Sequence, residues 1–174
     1  ASRLGYSPQR LDAANRAAVE FADGVRASAA ADGVTAVISG CIGPRGDGYD
    51  PGEVMTAAEA QSYHGTQIQS FSETTADQVT AMTITNADEA VGIVRAAVAV
   101  GIPAAISFTV ETTGLLPTGQ SLAGAIAQVD EATAGAAAYF MVNCAHPTHF
   151  ESALGEGGAW NHVEFCLPRA AEFV

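Results

Sequence analysis

Cysteine is scarce in this chain and falls into no useful pattern. The three Cys, at 41, 144 and 166, are unevenly spaced and make no disulfide framework. A reducing, cytoplasmic setting is therefore the expectation. Basic residues are scarce too: seven Lys plus Arg stand against 19 Asp plus Glu, a formal net charge of −12. A field of that sign repels nucleic-acid phosphates and anionic membranes, so no nucleic acid and no membrane is expected as a partner. No run approaches the roughly 18 apolar residues of a membrane span, and the N-terminal residues lack the basic, apolar and small-residue series of a signal peptide. There is no Gly-x-Gly-x-x-Gly at a strand-to-helix turn and no Walker motif, so nucleotide binding has no support. Aromatics make up only 7% of the residues while Gly alone contributes 18. That balance favours helices packed closely on a sheet over a β-sandwich.

What is present reads as one domain, or part of a larger one: 174 residues, 48% hydrophobic and 15% charged, enough to bury about 70% of the unfolded surface. A helix is expected over residues 7–30, capped by Ser7 with Pro8 at its first position. Leu11, Ala14, Ala18, Phe21, Ala22 and Val25 form its apolar stripe. A short buried strand is expected over 34–39, then a turn-rich loop through Gly40, Gly43, Pro44, Gly46 and Gly48. Further helices are expected over 56–72, 86–100 and 122–133, and further strands over 78–84, 104–110 and 137–143. A weak helical segment follows. Strands alternating with helices predict a parallel α/β sheet with right-handed crossovers, and the apolar strand runs suggest cover on both faces. Four βα units fit either a small open sheet or part of a (β/α)8 TIM barrel. The conspicuous loops all follow strand C-termini, where a barrel enzyme places its chemistry.

The most informative run is Tyr139-Phe140-Met141-Val142-Asn143-Cys144-Ala145-His146-Pro147. An apolar strand delivers Asn143 and Cys144 to its C-terminal tip, where a thiol meets metal or substrate. The competing reading of Cys144 is a buried small hydrophobe. Cys144, His146 and His149 have donor types suited to zinc, against a reading of the two His as loop caps. Cys41 reads as structural and Cys166 as incidental. Asp47, Asp50 and Glu53 read as a solvated acidic loop or as help for a cationic substrate. Ser107 and Thr109 alternate on one strand face, so both face a barrel lumen as substrate contacts or as polar packing.

Several segments resemble one family in order. They are Gly40-Cys41-Ile42-Gly43-Pro44-Arg45-Gly46-Asp47, Thr83-Ile84-Thr85-Asn86-Ala87-Asp88-Glu89-Ala90, Ile106-Ser107-Phe108-Thr109 with Thr118-Gly119, and Val142-Asn143-Cys144. Together they resemble the homocysteine S-methyltransferases, over about residues 4–160, with 161–174 as a divergent tail. The resemblance implies a (β/α)8 barrel that moves a methyl group from a sulfonium or quaternary ammonium donor to homocysteine. It also implies zinc held by a Cys at the sixth strand, matched by Cys144, and by an adjacent Cys pair near the eighth. The Asn143-Cys144 pair is the part of that site this chain retains, and Asn143, with the lumen-facing Ser107 and Thr109, is a candidate for substrate contact.

By this resemblance the chain begins at the helix after the second strand and ends after the sixth. The adjacent Cys pair has no counterpart, and Met82 stands where many members carry a Glu for the homocysteine amino group. The expectation is a single partial barrel over 1–174, inactive by itself and paired as a homodimer across its open edges. The alternative is a non-catalytic binding or self-assembly module.

Overall fold

The computed structural model describes residues 5–155. Nine elements follow in order: α1 (Pro8–Ala31), β1 (Ser39–Ile42), α2 (Ala57–Ser72), β2 (Gln78–Ile84), α3 (Ala87–Val100), β3 (Ala104–Phe108), α4 (Leu122–Thr133), β4 (Tyr139–Val142) and α5 (Pro147–Gly155). Trp160, Cys166 and the divergent tail lie outside the described residues.

The helix starts are written locally. Ser7, Thr56, Asn86 and Ser121 each accept a backbone N–H of the first turn into their side chain. Thr56 and Glu59 complete a reciprocal capping box. Gly101 closes α3 at φ 73°, a left-handed stop that glycine adopts without a Cβ clash.

The four strands pair in parallel in the order β1-β2-β3-β4. Each new strand joins the same edge, so right-handed crossovers put successive helices on one face of the sheet. That progression, without a reversal, is four units of a partial (β/α)8 barrel. Gly40, Ile42, Val79, Ala81, Ala104, Ile106, Phe108, Phe140 and Val142 are in register on one face. Most of them join the core cluster with Ile93 and Val94 of α3. The opposite face is not an apolar run. Ser39 meets Thr80 at 2.5 Å, and the Gln78 amide donates to the Tyr139 hydroxyl at 2.7 Å. This polar side corresponds to the lumen of a closed barrel, so two-sided apolar cover is corrected to one apolar and one polar face.

Two expectations fail in detail. The first strand is Ser39–Ile42 rather than 34–39. Val34 and Val37 are exposed, and pairing begins only where Gln78 emerges beside Ser39. Gly40 belongs in the strand because α2 crosses it closely: a Cβ there would lie 2.6 Å from the Phe71 ring. The second failure is the face of α1. Of its expected stripe Ala22 packs against the core and Leu11 is half-buried, but Ala14, Ala18, Phe21 and Val25 turn outward, Phe21 77% and Val25 55% exposed. Asn15 and Val19 are buried instead. Arg16 pairs with Glu73, and Arg26 reaches Asp77 at 2.8 Å. The docking face is therefore a polar seam around Val19 and Ala22. Apolar spacing could not reveal it.

Candidate functional site

All four strands end on the same side, and their loops bring distant residues together. At the centre is the Asn143 side chain, one residue beyond β4 and only 7% exposed. Its Oδ1 accepts the Thr83 backbone N–H at 2.9 Å and the Ser107 hydroxyl at 2.7 Å. Its Nδ2 donates to Thr83 Oγ1 at 2.8 Å and to Cys144 Sγ at 3.1 Å. Because a backbone N–H can only donate, the amide orientation is fixed by chemistry. Asn143 thus ties β4 to the tips of β2 and β3.

The backbone is bent at the same place. Thr83 has φ 61° and Cys144 φ 55°, a left-handed conformation that costs a non-glycine residue about 1–2 kcal/mol. Side chains meet across the bend, with Thr83 Oγ1 3.9 Å from Cys144 Sγ. Cys144 is exposed, so it is not a core hydrophobe. Strained, over-determined backbone of this kind concentrates at functional sites.

The loop after β1 runs beside the thiol. At Gly48 a Cβ would lie 2.6 Å from Thr83 Cγ2, so only glycine lets the loop rest on Thr83 without displacement. The next residue, Tyr49, lies beside Cys144. Interaction with that sulfur first, then burial and the carboxylates of Asp47 and Glu111, push the phenol above its ordinary value. Tyr49 therefore stays a proton donor across neutral pH. Of the acidic loop residues, Asp47 contributes to this field, while Asp50 turns inward on its own loop to accept the Gly52 N–H at 3.2 Å.

Beneath the loop lies a buried cluster that spacing did not reveal. His64 of α2 and Glu89 of α3 are 2% and 3% exposed and meet at 2.8 Å. Glu89 also accepts the Arg45 backbone N–H at 2.7 Å and the Asn86 amide at 3.3 Å. One signal was available. His64 interrupts the apolar row Ala60, Ile68 and Phe71 of α2, and a buried ring nitrogen demands a partner.

The remaining candidates fall as follows. Ser107 is fully buried and acts through Asn143. Thr109 is 1% exposed, and its hydroxyl has no hydrogen-bond partner among the described residues. Met82 is half-buried on β2. Cys41 is exposed, which corrects the reading of it as structural. His146 Nδ1 lies 2.9 Å from the Thr148 hydroxyl at the start of α5, and the His146 and His149 rings lie 5.9 Å apart. This is the loop-capping arrangement. Among the described residues no three His, Cys, Asp or Glu side chains gather as a metal-ligand set, so the local Cys144-His146-His149 zinc site is corrected. No helix among the described residues is long and apolar enough to cross a membrane.

No curated protein matches the chain. Among solved structures it is similar to the homocysteine methyltransferase MmuM from Escherichia coli. The metallated form superposes with a TM-score of 0.82 at 19% identity, over 95% of this chain and 61% of that one. The oxidized form gives 0.75 at 21% identity over 88% and 55%, and the apo form 0.71 at 22% over 86% and 56%. At such identities the likeness establishes the fold, and the chain spans about 61% of that relative's length at most. A family model described as homocysteine S-methyltransferase matches residues 2–171. With that match running through all four strand tips, the chain belongs to the homocysteine S-methyltransferase family.

Proposed function

We propose that the site at the strand tips is one side of a methyl-transfer site of the homocysteine S-methyltransferase kind, to which this chain contributes the Cys144 thiol. The 174-residue chain assayed by itself does not turn over. The observation that carries this reading is Cys144. It is an exposed thiol held in left-handed backbone beside an amide that ties three strands together. A cysteine that only fills space requires no such support.

The surroundings suit homocysteine and a cationic methyl donor. Tyr49 offers an aromatic face, and Asp47 and Glu111 add negative charge, a combination that attracts a sulfonium or quaternary ammonium group. Asn143 is the polar group nearest the thiol, with Ser107 behind it.

Zinc, which the family implies, does not fit the described residues. Cys144 has an amide, a hydroxyl and a phenol around it, whereas a catalytic zinc takes three protein ligands and leaves one position open. Ligands beyond these are required. Zinc content after purification without chelators, beside Cys144→Ser, tests the reading, together with methyl transfer to homocysteine from a sulfonium and a quaternary ammonium donor. The expected result is sub-stoichiometric zinc and no turnover in both proteins. Stoichiometric zinc lost in the variant, with turnover, would overturn the claim of inactivity.

A second reading, a self-assembling module, is favoured by the outward apolar side chains of Phe21 and Val25 on α1 and by β1 and β4, which are the sheet edges among the described residues. Such edges recruit further strands. A homodimer is the expected species, and sedimentation showing a stable monomer at micromolar concentration would remove this reading.

A further inference from the structure

We propose that Glu89 is a positioning residue, a role that rests on the reading of Cys144 as the working thiol: its buried carboxylate holds the loop 43–55 beside Cys144. Among the described residues the loop's other hydrogen bonds are internal. Arg45 Nη2 donates to the Glu53 carbonyl at 2.9 Å, Tyr49 N–H to Asp47 at 2.8 Å and Gly52 N–H to Asp50 at 3.2 Å. Those bonds shape the loop without locating it. Location comes from Met55, buried at the far end, from the Gly48 contact with Thr83, and from the Arg45 N–H on Glu89 Oε1 at 2.7 Å.

Glu89 is suited to anchoring because its own carboxylate is held from two sides. His64 Nε2 lies 2.8 Å from Oε1, and Asn86 Nδ2 lies 3.3 Å from Oε2, so the carboxylate is clamped between α2 and the start of α3. A buried, charge-assisted bond to a backbone N–H is short and strong. It acts on the residue four positions before Tyr49. The mechanical path runs from Glu89 through Arg45 to Gly48, which rests on Thr83, which lies 3.9 Å from Cys144 Sγ. Without the anchor the loop keeps its internal shape and swings about Met55.

Cross-linking across the site tests this without zinc, donor or turnover, so its failure is distinct from failure of the methyl-transfer reading. In a Cys41→Ser, Cys166→Ser background, Tyr49→Cys places a thiol on the loop. Dibromobimane, which fluoresces on bridging two thiols, then reports its proximity to Cys144. Arg45→Pro deletes the anchoring N–H from an exposed loop, and Arg45→Ala keeps that N–H while removing the side chain. The expected result is a bridging rate about tenfold lower for Arg45→Pro, through loss of effective concentration, and unchanged for Arg45→Ala. Glu89→Ala should repeat the loss with far-UV circular dichroism preserved. If Glu89→Ala does not fold, the Arg45 pair decides alone. Equal rates in Arg45→Pro and Arg45→Ala overturn the proposal, as does an unchanged rate in folded Glu89→Ala.

Discussion

Replacing Asn143 by Ala should destabilise the protein by about 3 kcal/mol, because it leaves the Thr83 N–H and the Ser107 hydroxyl without their acceptor. Each buried polar group left unpaired costs roughly 1–3 kcal/mol. Thr83, at φ 61°, also loses the two contacts that hold it there. For a domain of this size, about 3 kcal/mol lowers Tm by roughly 6–12 °C. Asn143→Asp separates the contributions. It keeps an acceptor for both donors, and the Thr83 hydroxyl can turn to donate to the second oxygen. Only the donated bond to Cys144 Sγ is lost outright. Its cost should be about 1 kcal/mol, the worth of one hydrogen bond. Urea denaturation with unchanged m-values measures both. An Ala variant within about 0.5 kcal/mol of the parent would refute the clamp. Equal losses for Ala and Asp would show that the acceptor is not what matters.

Other variants probe the frame around the site. At Gly92, where α3 crosses α2, a Cβ would lie 2.6 Å from the Ala57 carbonyl oxygen and from Gln61 N. Gly92→Ala should therefore destabilise by about 1–3 kcal/mol, despite a helix-propensity gain of roughly 1 kcal/mol; a more stable variant in urea would contradict the crossing. On α1, Val19→Ala should cost about 2 kcal/mol and Phe21→Ser less than about 0.5 kcal/mol, and a reversed order in thermal melts would reverse the docking face. Hydrogen bonds from Thr56 hold the Glu59 carboxyl below its ordinary 4.5, and Arg16 does the same for Glu73 and Asp12. The unfolded chain then binds more protons, so this stability is full above the ordinary carboxylate range and is lost as pH falls through the lowered values. Urea midpoints should drop between about pH 5 and pH 3, and less so in Glu59→Gln; an equal drop would exclude the cap.

Much of the fold was legible because its signals are local. Ser7, Thr56, Asn86 and Ser121 announce four helix starts through a single side-chain oxygen each. The row Ala90, Ile93, Val94 and Ala97 is buried as its spacing requires. The strand-tip position of Asn143 and Cys144 follows from four apolar residues ending at Val142. Other features were hidden because they depend on partners far along the chain. Asn143 reaches Thr83 across 60 positions, and Arg45 reaches Glu89 across 44. Neither end of such a pair looks unusual by itself. Asn86 caps α3 by accepting the Glu89 N–H, while the Glu89 carboxylate reaches His64, Arg45 and the Asn86 amide.

The sequence by itself determined the alternation of helices and strands, the parallel sheet it requires and the family to which the strand-tip motifs belong. Hydrophobic period, caps and turn residues act over a few positions, and the motifs lie at strand ends that those signals define. Tertiary structure alone decided which face of α1 is buried, where β1 begins, that Cys144 is exposed in left-handed backbone, and that Tyr49 and Asn143 attend it. Each of those outcomes is a competition between surfaces brought together only by folding: an arginine seam over a phenylalanine stripe, pairing with Gln78 over the pull of Val34 and Val37, and four hydrogen bonds at one amide over the strain of two bent residues.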